Sequence, residues 1–137
     1  MSDIRIAAGP FTFTARLERE ASPQTVAAFE TMLPFTSKII HVRWSGEAAW
    51  IPMGELNLPI PFEDPTCYPA PGEVLLYPGG VSETEILFPY GHCAFASKAG
   101  LLAANLLMTI EDGRDQLREL GVKLLWEGAL DITIERI

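Results

Sequence analysis

Both ends of the chain alternate apolar and polar side chains with a period of two, and no other feature of the sequence constrains the fold as strongly. Ile4 and Ile6 precede Gly9-Pro10, and Phe11, Phe13, Ala15 and Leu17 follow it. At the far end Leu130, Ile132 and Ile134 alternate with Asp131, Thr133 and Glu135. Alternation of this kind gathers the apolar side chains on one face of a strand. The first segment therefore predicts a β-hairpin and the last, over 125–137, a strand. An antiparallel sheet with strands at both chain ends would carry two open edges, whose unpaired backbone groups invite aggregation. Closing the sheet on itself removes them.

The stretches between fit that expectation. Ser22 predicts an N-cap and Pro23 a first helical position; Val26, Phe29 and Leu33 form one stripe, and Pro34 ends the helix at Leu33. Strands are predicted over 39–44 and 47–51, joined at Ser45-Gly46, and over 74–77 and 85–88, separated by Pro78-Gly79-Gly80. A short strand is expected around 93–96. Six prolines between Pro52 and Pro71 withhold ladder donors and predict a stiff excursion, through which the apolar anchors Ile51, Leu56, Leu58, Ile60 and Phe62 continue. The apolar run 101–110 fits a buried strand or a buried helix, and periodicity leaves both open. Asp112 caps a short helix over 114–120 that Gly121 stops. About eight short strands with two short helices make a mainly β protein, a closed barrel. At 137 residues it forms a single domain spanning 1–137, long enough to bury roughly two-thirds of its unfolded surface without a disulfide or metal staple.

Charge narrows the partners. Eighteen acidic against ten basic residues give a net charge of -8, which excludes nucleic acid and anionic membranes as expected partners. No run is long enough for a transmembrane helix, and the N-terminus has no signal-peptide pattern. Two cysteines, Cys67 and Cys93, fit a reducing compartment, so the expected location is the cytoplasm. His41, His92, Cys67 and Cys93 lack the paired spacing of a metal site, and Gly79-Gly80 lacks the Lys-Ser/Thr of a phosphate loop. Neither a metal nor a cofactor is expected.

Several stretches resemble a known family. Ser22-Pro23-Gln24-Thr25-Val26-Ala27-Ala28-Phe29 resembles the start of the first helix in cyclophilins and their relatives. A closer likeness is to a cyclophilin-like family of small bacterial proteins whose function is not established. It runs from about Ile4 to Ile134 and is carried by four strings: His41-Val42-Arg43-Trp44-Ser45-Gly46-Glu47, Tyr77-Pro78-Gly79-Gly80 with Glu83-Thr84-Glu85-Ile86, Phe95-Ala96-Ser97-Lys98, and Leu125-Trp126-Glu127-Gly128. The resemblance implies a cyclophilin-like barrel of eight strands and transfers no catalytic residue. In true peptidyl-prolyl isomerases an arginine follows the first helix, and Arg43 alone has a comparable place. No Gln-Gly-Gly follows it, Leu106-Leu107 stand where the proline pocket has Phe-Phe, and no Trp-Leu-Asp-x-x-His string occurs.

The residues themselves suggest a site. Between Arg43 and Lys98 there is no Lys or Arg, while Glu47, Glu55, Glu63, Asp64, Glu73, Glu83 and Glu85 all fall inside. This reads either as an acidic mouth for an amine-bearing ligand or as a solvated face. His41 and Arg43 share a face of the predicted strand, with Trp44 on the other; Arg43 is a fork for a carboxylate, and Glu47 a partner that holds it. Tyr77 and Trp44 are candidate apolar walls. Glu83 and Glu85 share a face, as a carboxylate pair with one raised pKa or as exposed residues beside a turn. The candidate ligand site is thus His41, Arg43, Trp44, Glu47, Tyr77, Glu83 and Glu85, at the mouth of the barrel. The expected function is binding of a small polar molecule there. The alternatives are a weak peptidyl-prolyl isomerase and a structural subunit of a homo-oligomer that docks through the apolar loop 51–62.

Overall fold

The computed structural model describes residues 1–137. At Gly9, whose positive φ of 54° suits a residue without a Cβ, the chain turns β1 (Ile4–Ala8) back as β2 (Phe11–Leu17). Helix α1 (Pro23–Glu30) follows, then β3 (Phe35–His41), β4 (Gly46–Pro52), β5 (Glu73–Tyr77) and β6 (Glu85–Cys93). A small hairpin, β7 (Ala96–Ser97) with β8 (Gly100–Leu101), precedes β9 (Asn105–Asp112), α2 (Leu117–Glu127) and β10 (Leu130–Arg136). Eight strands close an antiparallel barrel in the order β1-β10-β3-β4-β6-β5-β9-β2, with the β7–β8 hairpin outside it. The two terminal segments do close the sheet: Ile6 lies opposite both Phe13 on β2 and Ile134 on β10. No helix is long and apolar enough to cross a membrane.

Alternation decides which side chains fill the barrel. Ile6, Phe13, Ile39, Ile51, Phe88 and Ile134 point inward into one core, where the Phe13 and Phe88 rings meet edge to face at 5.8 Å. The helices close the two ends: Val26 and Phe29 of α1 beyond Leu17, and Leu117, Leu120 and Leu124 of α2 beside the start of β2. A second core lies on the outer face of β4, β5 and β6, where Leu75, Tyr77, Leu87 and Phe95 pack under the chain carrying β7–β8. These strands are covered on both faces, which is why β6 reads as a nearly continuous apolar run.

Several sequence expectations are corrected. The run 101–110 resolves as a strand, β9, preceded by the short β8. The second helix does not stop at Gly121; a 3-10 turn (Arg114–Gln116) leads into α2, which runs on to Glu127. Gly121 serves close approach instead, because a Cβ there would lie 2.4 Å from the Tyr90 ring. The first helix ends at Glu30, three residues early, and β3 stops at His41, leaving Val42–Ser45 as bends. The proline-rich stretch contributes no strand beyond a single bridge, Thr66 with Ala104. Its Leu58 and Ile60 pack on the barrel's own core, while Leu56 and Phe62 stay exposed.

The cap of α1 is also different from the one the sequence suggests. Ser22 Oγ is buried with no hydrogen-bond partner. The free N–H groups are satisfied from a distance by Glu63, whose carboxylate accepts from Gln24 N (3.0 Å), Thr25 N (2.8 Å) and Thr25 Oγ1 (2.7 Å). Those bonds, the Thr25 amide among them, hold the Glu63 carboxyl below its usual range against the opposing effect of burial. Glu63→Ala is expected to cost about 1 kcal/mol and Ser22→Ala less than about 0.5 kcal/mol, the reverse of the usual capping pattern. Urea unfolding of the two variants measures the difference.

Candidate functional site

β3 stops at His41; the Val42 N–H still donates to the Ala48 carbonyl of β4 (3.1 Å), and the chain then bends over residues 43–45 beside the outer core. Val42 and Trp50 pack against that core. Here the Val42–Ser45 bend, the start of β6 and the β7–β8 hairpin enclose a cleft of about 230 Å³ on the outside of the barrel wall. Trp44 and Trp50 form aromatic walls, Arg43 and Lys98 bring cations, and Glu83 and Glu85 bring carboxylates. Ser45 fixes the hairpin: its Oγ donates to the Ala96 carbonyl (3.2 Å) and accepts the Ala96 N–H (2.9 Å). Tyr77 fixes the turn before β6, its hydroxyl accepting the N–H groups of Val81 (3.0 Å) and Ser82 (3.3 Å).

Glu85 is the unusual member. It is the first residue of β6 and only 6% exposed, and its carboxyl, unlike its backbone, has no hydrogen-bond or ion-pair partner in the protein. Burial, and then the negative charge of Glu83, push its carboxyl up to about 8. A carboxyl left neutral near pH 7 in a cleft has an open role for a ligand or a proton.

The cations are equally distinctive. Eight of the ten Lys and Arg side chains are engaged, seven in salt bridges and Arg114 on the carbonyls of Ile110 and Pro71. The two left without a partner are Arg43 and Lys98, and both line this cleft. They are also the two residues that bracket the stretch of sequence devoid of Lys and Arg.

That stretch is not one acidic mouth. Glu63 caps α1, Glu73 accepts the Ala70 N–H at 2.7 Å, and Glu47 is drawn to α2. Only Glu83 and Glu85 reach the cleft. The predicted site therefore divides. Arg43, Trp44, Glu83 and Glu85 come together, on the outer wall rather than at the barrel mouth. His41 and Glu47 belong to another cluster, and Tyr77 is a support below the turn.

In that other cluster Glu47 pairs with Arg118 (2.7 and 3.3 Å), not with Arg43, and accepts the His92 N–H (2.9 Å). The Arg118 guanidinium and this N–H lower the Glu47 carboxyl to about 2. Arg118 lies over the Tyr90 ring, 5.3 Å from its centroid. Tyr90 Oη is 2.8 Å from His41 Nε2, and His41 Nδ1 is 2.9 Å from the Val42 carbonyl. A carbonyl only accepts, so Nδ1 carries a proton, and in the neutral ring Nε2 accepts from Tyr90. His41 and Arg43 thus do not share a face, because the strand ends between them. This network ties α2 to β4 and β6 and leaves no group free.

Trp50 and Lys98 also line the cleft, although the candidate site drawn from the sequence does not include them. Trp50 carries the opposite phase from the inward Ala49 and Ile51, and Lys98 closes the cation-free stretch and ends the string Phe95-Ala96-Ser97-Lys98. Three of the four strings that carried the family resemblance converge on the cleft.

The fold recurs in solved structures. The structure of McbB in complex with tryptophan is similar over 97% of this chain, with a TM-score of 0.75 and 20% identity. The match covers 44% of McbB, so this chain spans less than half of that protein's length. The solution structure of the hypothetical protein AF2241 from Archaeoglobus fulgidus is similar over 99% of this chain and 95% of its own, with a TM-score of 0.65 and 17% identity. At such identities the likeness is one of fold. No curated protein matches the sequence. A family model described as protein of unknown function, DUF3830, matches residues 4–136, so the chain belongs to the DUF3830 family.

Proposed function

We propose that the protein binds a small organic carboxylate with a flat apolar portion in the cleft between the Val42–Ser45 bend and the β7–β8 hairpin. The observation that carries this reading is the pairing state of the cations. In a chain of net charge -8, Arg43 and Lys98 alone have no protein partner, and both line one cleft. Arg43 offers a bidentate fork and Lys98 a mobile point charge, and the two Trp rings offer stacking area for the rest of the molecule. The volume of about 230 Å³ lies below the ~300 Å³ at which drug-sized pockets begin. It suits a ligand the size of an amino acid. Tryptophan, the molecule named with McbB, joins a carboxylate to a flat ring, which supports the same ligand class here. The closed barrel with a helix at each end supports kinship with cyclophilins as a scaffold. Arg43, on the outer wall, does not favour their isomerase activity.

The test is thermal unfolding against a panel of amino acids, aromatic and aliphatic acids, amines and nucleotides. A ligand at about a hundred times its Kd adds roughly 2.7 kcal/mol, or several degrees in Tm for a domain of this size. Aromatic carboxylates are expected to give that shift in the wild type and none in Arg43→Ala, whose own Tm stays unchanged because Arg43 makes no bond within the protein. A flat panel, or equal shifts in both proteins, overturns the reading.

A further inference from the structure

Resting on that carboxylate reading, we infer that the ligand is an α-amino acid whose ammonium group pairs with Glu85, and that its binding expels a proton from the cleft. The cleft lacks partners for its own charged and ionisable groups. It holds two cations that no acid of the protein reaches and a carboxyl, Glu85, that no donor of the protein reaches. A simple carboxylate ligand satisfies the first pair and brings the Glu85 carboxyl no counter-charge. A simple amine satisfies Glu85 and leaves the cations idle. A molecule carrying both charges a few ångströms apart satisfies every unmatched group at once, and its side chain has Trp44 and Trp50 to lie against.

The same geometry couples binding to protons. Five ionisable groups surround Glu85 or share its surroundings: Glu83 from the preceding turn, Arg43 from the β3–β4 bend, Lys98 from the β7–β8 turn, Tyr77 opposite it on β5, and Cys93 farther along β6. On β4 its neighbour is Pro52, and Trp50 lines the same cleft. The Tyr77 hydroxyl is committed to the Val81 and Ser82 amides. Burial pushes the Cys93 thiol up to about 11, so it stays neutral. Among the carboxyls, Glu85 alone is held protonated at neutral pH, by burial and the charge of Glu83. An arriving ammonium supplies the missing counter-charge, and Glu85 gives its proton to solvent while the ammonium keeps its own.

The experiment is calorimetric titration with L-phenylalanine, 3-phenylpropionate and phenethylamine, repeated in two buffers of different ionisation enthalpy, on the wild type and on Glu85→Gln. The expected result at pH 7 is that L-phenylalanine binds about tenfold more tightly than 3-phenylpropionate, from one charge-assisted bond. It should release close to one proton per molecule bound at pH 7, and the release should fall away as the pH rises past about 8, where Glu85 is already ionised and the free ligand begins to lose its own ammonium proton. In Glu85→Gln the two affinities converge and no proton is released. Equal affinities in the wild type, or binding of L-phenylalanine without proton release, overturn the amino-acid inference and leave the carboxylate reading standing. No binding of either acid overturns both.

Discussion

Replacing Glu85 by Gln is expected to stabilise the protein above pH 8 by on the order of 3 kcal/mol, because it removes the cost of ionising a buried carboxyl. The sign follows from linkage. Unfolded, Glu85 ionises near its ordinary value of 4.5; folded, it holds its proton to about 8. Between those values the folded state binds more protons than the unfolded one, so stability falls as pH rises from about 4.5 to about 8 and levels off beyond. Gln has nothing to ionise, and the variant should lack this slope. The two proteins should be similar near pH 4.5 and differ most above pH 8. Carboxyls that are lowered, such as Asp3, Glu30 and Glu47, act on the acid side, where protonating them removes stability as pH falls below about 4.5. The two windows do not overlap. Urea unfolding at pH 5, 7 and 9 gives the comparison. Wild-type stability that rises across this range in parallel with Glu85→Gln would contradict the account.

Asn105→Ala should be the most damaging single polar substitution, with a loss of about 3–5 kcal/mol. Asn105 is fully buried at the start of β9. Its Nδ2 donates to Thr25 Oγ1 (2.9 Å) and to the Pro61 carbonyl (2.8 Å), and its Oδ1 accepts the Glu63 N–H (2.8 Å). One side chain thus joins the barrel wall, α1 and the proline-rich segment that carries the helix cap. Truncation leaves the Glu63 N–H and the Pro61 carbonyl unmet and takes one of two bonds from Thr25 Oγ1, at about 1–3 kcal/mol for each buried group. For a domain whose total stability is ~5–15 kcal/mol, that is a large share. Urea unfolding reads the loss, and hydrogen exchange at the Gln24, Thr25 and Glu63 amides should accelerate beyond what global destabilisation explains. A loss below about 1 kcal/mol would mean that the segment is held by its apolar anchors alone.

Legibility in the sequence followed the range of the interactions. The hairpin 4–17 and the last strand are written locally, in a period of two that a single burial direction enforces, and both appear with their expected faces, although the last strand begins at Leu130 and not at 125, since α2 runs to Glu127. The cap of α1 was misassigned because the sequence offers Ser22 at the right spacing, whereas the carboxylate that does the capping comes from Glu63, forty residues on. The second helix outran Gly121 because the reason for that glycine is the Tyr90 ring, a tertiary neighbour invisible in the local pattern. The same holds for the cleft. Arg43 and Glu85 were picked out as residue types, yet the face they share is set by where β3 stops. A strand ending three residues earlier than its apolar pattern suggests separates His41 from Arg43 and moves the candidate site from the barrel mouth to the outer wall. Lys98, marked in the sequence only as the end of the cation-free stretch and of one string, arrives there on a hairpin held by Ser45.

The central claim is that the outer-wall cleft, and no other part of the barrel, receives the ligand. The three tryptophans test it directly, since Trp44 and Trp50 line the cleft while Trp126 lies on α2 beside Phe11 and is 79% exposed. Titrating the 15N-labelled protein with L-phenylalanine, and separately with 3-phenylpropionate, follows all three indole N–H signals at once. The account predicts saturable shifts of the Trp44 and Trp50 signals with Trp126 unmoved, and their loss in Arg43→Ala. Shifts at Trp126 alone, or three unmoved signals at saturating concentrations of both compounds, would contradict it.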